Sequence, residues 1–177
     1  MEAEIVKLWD REMIRDCLYR YCRGIDRVDE ALLRSSYWPD GTDTHGAYRG
    51  SASGFVDWAM AALPKIERGI HQIHNILIEM RGTEAAVESY FSAWQRQPGA
   101  DGALVEAHMA GRYVDRFEKR GDEWRVADRI VVFDWVEERP AQKTSEAERF
   151  GHRQPIGANW PNDPVYRLLG GPLKGEN

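Results

Sequence analysis

Behind Asp10, apolar residues recur at Ile14, Leu18, Tyr21, Cys22 and Ile25. These are the three- and four-residue steps of an amphipathic helix, with Asp10 placed to cap it. A second short helix is predicted through Glu30 to Arg34, and Pro39-Asp40-Gly41 punctuates the chain after it. Thr42 to Tyr48 then reads as a short strand, and Ser51 to Leu63 as a third helix ended by Pro64. From Gly69 the period changes to two, which predicts strands over Ile70 to Met80, Ala86 to Arg96, Val105 to Glu118 and Glu123 to Val136. Arg81-Gly82-Thr83-Glu84 and Lys119-Arg120-Gly121-Asp122 have the chemistry of hairpin loops, and Gln97 to Gly102 that of a longer connection.

Helices first and a strand meander afterwards predict a segregated α+β fold. The expected form is a cone-shaped, curved antiparallel sheet wrapped around three N-terminal helices, open as a pocket at one end. The barrel domain is assigned to residues 1–140 and an irregular tail to 141–177. The tail is rich in Pro, Gly and charge, and Trp160, Tyr166, Leu168 and Leu169 are expected to bury part of it on the barrel or a neighbouring subunit.

At 177 residues the chain suits one well-filled core. Its formal net charge of -5 gives no basic surplus to neutralise phosphates, so nucleic acid is excluded as the expected partner. No apolar run approaches the ~20 residues that cross a bilayer, and the acidic amino terminus is unlike a signal peptide, so no membrane association and a cytoplasmic location are expected. Cys17 and Cys22 sit five apart in one helix and make no zinc spacing. There is no Gly-rich phosphate loop, dinucleotide fingerprint or Gly-x-Ser-x-Gly elbow. Neither a cofactor nor a metal is expected.

Four residues stand out as polar groups on apolar faces. Asp26 continues the helical row of Leu18 and Cys22, where a carboxylate needs a partner; capping of the next helix, or pairing with Arg23 or Arg27, is the plainer use for it. In the strand over Ile70 to Met80, alternation puts His71, Ile73, Asn75 and Leu77 on one face and Gln72, His74, Ile76, Ile78 and Met80 on the other. His71 and His74 therefore diverge and cannot hold a metal together, whereas Asn75 should join His71 in a pocket wall. Arg129 shares a face with Ala127, Val131, Phe133 and Trp135, and a guanidinium there needs an anion, either a substrate oxygen or an acid such as Asp115. Tyr21, on the helix stripe, is a hydrogen-bond donor or simply core. Trp38, His45, Trp58 and Phe133 are candidate pocket-lining groups.

Tyr21-Cys22-Arg23-Gly24-Ile25-Asp26-Arg27, then Tyr37-Trp38-Pro39-Asp40-Gly41, Tyr48-Arg49-Gly50, His71 to Asn75 and Trp124 to Arg129 follow one another in an order and spacing that resemble the SnoaL-like, scytalone dehydratase-like group of the nuclear-transport-factor-2-like superfamily. That resemblance implies a cofactor-independent lyase using an Asp and His pair: Asp26 orienting His71, His71 removing a proton, and Arg129 or Tyr21 assisting the departing group. It implies a small hydrophobic, hydroxylated, aromatic substrate and loss of water or formaldehyde. It also implies a homo-oligomer, trimer or dimer. The same superfamily contains cyclases, isomerases, and ligand-binding or structural subunits, the alternative for this chain.

Overall fold

The computed structural model describes residues 1–170. Helix α1 spans Glu2–Arg27 and α2 spans Glu30–Arg34; β1 covers Tyr37–His45 and β2 Tyr48–Ser51; α3 covers Ala52–Ala62 and continues into a 3-10 turn over Leu63–Lys65. Four long strands follow, β3 (Arg68–Arg81), β4 (Glu84–Pro98), β5 (Leu104–Arg120) and β6 (Glu123–Pro140), and then two short helices, α4 (Glu146–Phe150) and α5 (Pro164–Gly170). The strands form a single sheet in the order β2-β1-β6-β5-β4-β3. The expected α+β class is therefore observed. One pairing differs from the antiparallel expectation: β1 runs parallel to β6, because the chain returns through α3 and the meander before pairing with it.

Helix α1 starts eight residues earlier than Asp10, so that residue is no cap. Its Oδ1 instead accepts from Trp124 Nε1 at 2.9 Å and Lys119 Nζ at 2.8 Å, tying the helix to the last hairpin. The stripe Ile14, Leu18, Tyr21 and Ile25 is buried against the concave side of the sheet, with Phe55 and Val56 of α3 and Phe117, Trp124 and Val126 of the sheet. The helix ends at Val28 in the left-handed conformation, φ 52°, and Asp29 caps α2 by accepting from Leu32 N–H. The cap of α2 is thus Asp29, which frees Asp26 for another partner.

Three register shifts break the strict alternation predicted for the long strands: one between Arg116 and Phe117 in the β5–β6 ladder, and two that decide which side chains reach the cavity. The β3–β4 register shifts between Ile73 and Ile76, so Ile78 is buried while Leu77 is exposed, and Asn75 turns away from the His71 face. The β5–β6 register shifts between Ala110 and Gly111, pairing Gly111 with Phe133 and Ala110 with Trp135; Phe133 faces inward and Trp135 does not. A Cβ on Gly111 would lie 2.0 Å from Val132 O, so this bulge requires glycine.

The tail is held by polar contacts. Arg96 donates to Gln142 O at 2.8 Å, Trp160 N–H donates to Arg27 O at 2.6 Å, and Arg27 and Arg68 pair with Asp163 and Glu146. Trp160 and Leu168, expected to bury, are 56% and 77% exposed, and Tyr166 is half-buried; the side chain of Leu169 lies outside the described residues. No helix among the described residues is long and apolar enough to cross a membrane.

At the α1–α2 crossing, a Cβ on Gly24 would stand 2.7 Å from Leu33 N and 2.8 Å from Leu33 Cα. Gly24→Ala should therefore destabilise by about 1–3 kcal/mol through overpacking, seen as a Tm several degrees lower by calorimetry; an unchanged Tm would mean the helices can part at no cost.

Candidate active site

A cavity of about 270 Å³ opens between α1, α3 and the concave sheet. Its wall is mostly aromatic and aliphatic, including Ile25, Phe55, Trp58, Phe91, Met109 and Phe133, with Tyr21, His45 and His71 as the polar groups on it beside Gln95 and Gln97. Opposite His71 in the β3–β4 ladder stands Ala93, whose small side chain leaves the space open.

Asp26, in the last turn of α1, reaches β3 and takes two hydrogen bonds from one residue. Its Oδ2 accepts from the backbone N–H of His71 at 2.9 Å and its Oδ1 lies 2.6 Å from His71 Nδ1. Both side chains are more than nine-tenths buried. The second contact makes Nδ1 the protonated nitrogen and turns the lone pair of Nε2 away from the carboxylate. An imidazole held at both backbone and ring has little freedom to rotate.

Below the cavity floor, Arg129 is wholly buried. Its Nε and Nη2 donate to Asp115 Oδ1 and Oδ2 at 2.8 and 2.7 Å, and its Cζ sits 4.2 Å from the ring centroids of both Tyr21 and Tyr113. Its anion is therefore Asp115. Arg129 Nη1 and Tyr21 Oη remain buried without partners. Burial, partly offset by the Arg129 charge, pushes the Tyr21 phenol well up, so it keeps its proton.

His45, Trp58 and Phe133 line the cavity as expected from sequence. Trp38 does not: its Nε1–H donates to Glu118 O at 3.0 Å, the guanidinium groups of Arg120 and Arg125 lie 4.8 Å from its ring, and it faces a separate groove with Tyr37 and Arg34. Asn75 is exposed, on the far side of the bulge. Sequence reading missed Asp43, which is 1% exposed and accepts from Tyr37 O–H at 2.6 Å. The signal was present, since residues 43 and 45 alternate on one face of β1. Among the described residues no three His, Cys, Asp or Glu side chains converge as a metal-ligand set.

An α+β cone with a buried Asp–His pair on the wall of an apolar cavity defines a class of pocket proteins, and comparison places the chain within it. Residues 6–130 match the SnoaL-like domain family, to which this chain belongs. Among solved structures, a hexachlorocyclohexane dehydrochlorinase, LinA type 2, superposes with a TM-score of 0.71 at 18% identity over 80% of this chain and 97% of that one. A putative scytalone dehydratase from Novosphingobium aromaticivorans gives 0.65 at 16% identity over 80% and 93%. A function-unknown protein from Mycobacterium tuberculosis gives 0.58 at 25% identity over 73% and 75%. These likenesses establish the nuclear-transport-factor-2-like fold. Comparison with curated proteins gives no match.

Two stability predictions follow from the buried charges. Asp115→Ala strands the Arg129 guanidinium and should cost about 3–5 kcal/mol in urea unfolding, most of it recovered in the double variant Asp115→Leu/Arg129→Met; equal losses in both would deny the pairing its role. Burial raises Asp43 from its ordinary value of 3.8 to about 7, against the lowering effects of Arg129 and Tyr37. Between these values the unfolded chain releases this proton and the folded one keeps it, so the contribution is full below pH 3.8 and lost as pH rises through 7. The urea midpoint of the wild type relative to Asp43→Asn should accordingly fall from about pH 4 to 7 and level above it; a flat difference would contradict the raised value.

Proposed function

We propose that this protein is a cofactor-independent lyase acting on a small hydroxylated aromatic compound held in the cavity between α1, α3 and the sheet. The observation that carries the reading is the double hold of Asp26 on His71 at the wall of an aromatic-lined cavity. His71 Nε2 is the general base. It takes a proton from the carbon next to the one bearing the leaving hydroxyl; the C–H electron pair becomes the new double bond, the C–O bond breaks, and the departing oxygen takes a proton from Tyr21 and leaves as water. Tyr21, whose ring lies against the Arg129 guanidinium and whose buried O–H has no hydrogen-bond partner, is the donor assigned to that step. Expulsion of formaldehyde uses the same groups: His71 removes the proton of a hydroxymethyl O–H, that pair becomes the C=O of formaldehyde, the adjacent C–C bond breaks and its pair forms the double bond, and the hydroxyl on the next carbon takes a proton from Tyr21 and leaves as water.

The names of two structural relatives, a dehydrochlorinase and a putative scytalone dehydratase, accord with elimination chemistry. Arg129 acts from beneath: both its ends of contact are ring faces and Asp115, so its charge supports Tyr21 and does not meet substrate directly.

General-base help is worth about 10²–10⁴-fold, so His71→Ala and Asp26→Asn should each lose at least two orders of magnitude in rate with the fold kept by circular dichroism. The assay is a mass-spectrometric screen of the purified protein against hydroxylated aromatic and polycyclic compounds for loss of roughly 18 mass units (water) or roughly 48 (water and formaldehyde together). Full turnover in either variant sinks the mechanism. Binding without any mass loss would make the chain a ligand-binding member of its family.

A further inference from the structure

A second histidine and aspartate stand on the opposite wall. In the sheet order, β1 and β3 are separated by β6, β5 and β4, yet His45 and His71 line one cavity, because curvature brings the two ends of the sheet face to face. Asp43 Oδ2 accepts from Tyr37 O–H, but its Oδ1 has no donor. His45 Nδ1 lies 3.7 Å from that oxygen and is also buried without a partner. Two complementary buried atoms facing each other without partners are rare in folded proteins, and a small ring rotation makes the bond. The imidazole is stacked on Phe55, with centroids 4.9 Å apart and planes at 17°, and Phe133 meets its edge at 6.2 Å. Nδ1 is buried while the side chain is 21% exposed and lines the cavity, which leaves Nε2 as the ring nitrogen to meet a ligand.

We propose that the Asp43–His45 pair is a hydroxyl-recognition site on the wall opposite His71, where His45 Nε2 hydrogen-bonds a hydroxyl group of an aromatic ligand. This rests on the aromatic-ligand reading of the cavity and names the second point at which the ligand is held. With Asp43 protonated, its O–H meets Nδ1 and the imidazole proton lies on Nε2. With Asp43 ionised, the imidazole proton turns to Nδ1 and Nε2 offers its lone pair. A hydroxyl answers either arrangement, since it donates and accepts, whereas an unsubstituted ring edge answers neither. Burial, reinforced by the charge of Arg129, holds His45 down to about 3, so the imidazole stays neutral at working pH and both arrangements are open to it.

The test is the ratio of naphthalene Kd to 2-naphthol Kd, by calorimetric titration of the full chain. One net hydrogen bond makes this ratio roughly three- to tenfold larger in the wild type than in His45→Phe, which keeps the stack on Phe55. His45→Gln, with a polar tip, should keep part of the difference, and His71→Ala should keep all of it. A ratio unchanged in His45→Phe, or one that falls in His71→Ala instead, overturns the proposal. A readout without substitution guards against a variant that fails to fold: the ¹⁵N resonances of the His45 ring should shift more with 2-naphthol than with naphthalene, and equal shifts overturn it too. Failure of both compounds to bind would remove the aromatic-ligand reading and this site together. Turnover enters neither measurement, so the fate of His71 as a base is decided separately.

Discussion

The Arg129–Asp115 ion pair, clamped between two tyrosine rings, is the contact on which the geometry of this protein depends. A guanidinium removed from water loses several kcal/mol of hydration, so it is tolerated only where its partners are fixed. Here Asp115 of β5 supplies two parallel hydrogen bonds, Tyr113 of the same strand one ring face, and Tyr21 of α1 the other. Arg129 itself is on β6 and stands in register beside Asp43 of the parallel strand β1. One side chain thereby fixes the helix against the sheet, sets the depth of the cavity floor, and places a positive charge beneath Tyr21 and near Asp43.

Above this floor the sheet must curve far enough for its ends to meet across the cavity. The bulges make that possible and also decide which side chains enter. In β3 the extra residue falls after Ile73, so His71 and Ile73 face the helix and the inward series resumes at Ile76 and Ile78. In β6 it falls at the pairing with Gly111, so Phe133 ends the inward series and Trp135 is delivered to the outer face.

This explains what was legible in the sequence. Hydrophobic periods located α1, α2, α3 and the four long strands, because each buries one face and the period records that face. Asp26 and His71 were legible as polar intrusions on those faces, and the family resemblance brought them together; Asp115 was already in view as an anion for Arg129. Asn75 and Trp135 were misplaced because a bulge reverses alternation and leaves no trace in composition. The parallel β1–β6 pairing was hidden as well, since β1 carries the Pro39-Asp40-Gly41 interruption and its partner lies far along the chain, Thr42 pairing with Asp128. Trp38 was misassigned for a different reason: a tryptophan signals burial of an aromatic face, and the partners here are two arginines from the last hairpin. The tail's contacts left no period to read, because Arg27, Arg68 and Arg96 hold its backbone and acids while Trp160 and Leu168 are exposed on the single chain.

The two Asp–His pairs of the cavity differ in how firmly they are held, and the difference gives the cavity a direction. Asp26 grips His71 through both ring and backbone, so that Nε2 points one way whether or not a ligand is present. His45 is positioned by stacking on Phe55, and its distance from Asp43 leaves room to turn. Proton abstraction from carbon gains from a fixed base, because misalignment costs rate directly. Recognition of a hydroxyl tolerates an adjustable partner, because the ring can follow the oxygen. An aromatic compound lying between the pairs, over the Tyr21 ring and against Phe91 and Phe133, would meet a fixed base at one end and an adaptable hydrogen-bonding group at the other. With both ends of the ligand answered differently, only one of its two orientations brings its acidic carbon to His71.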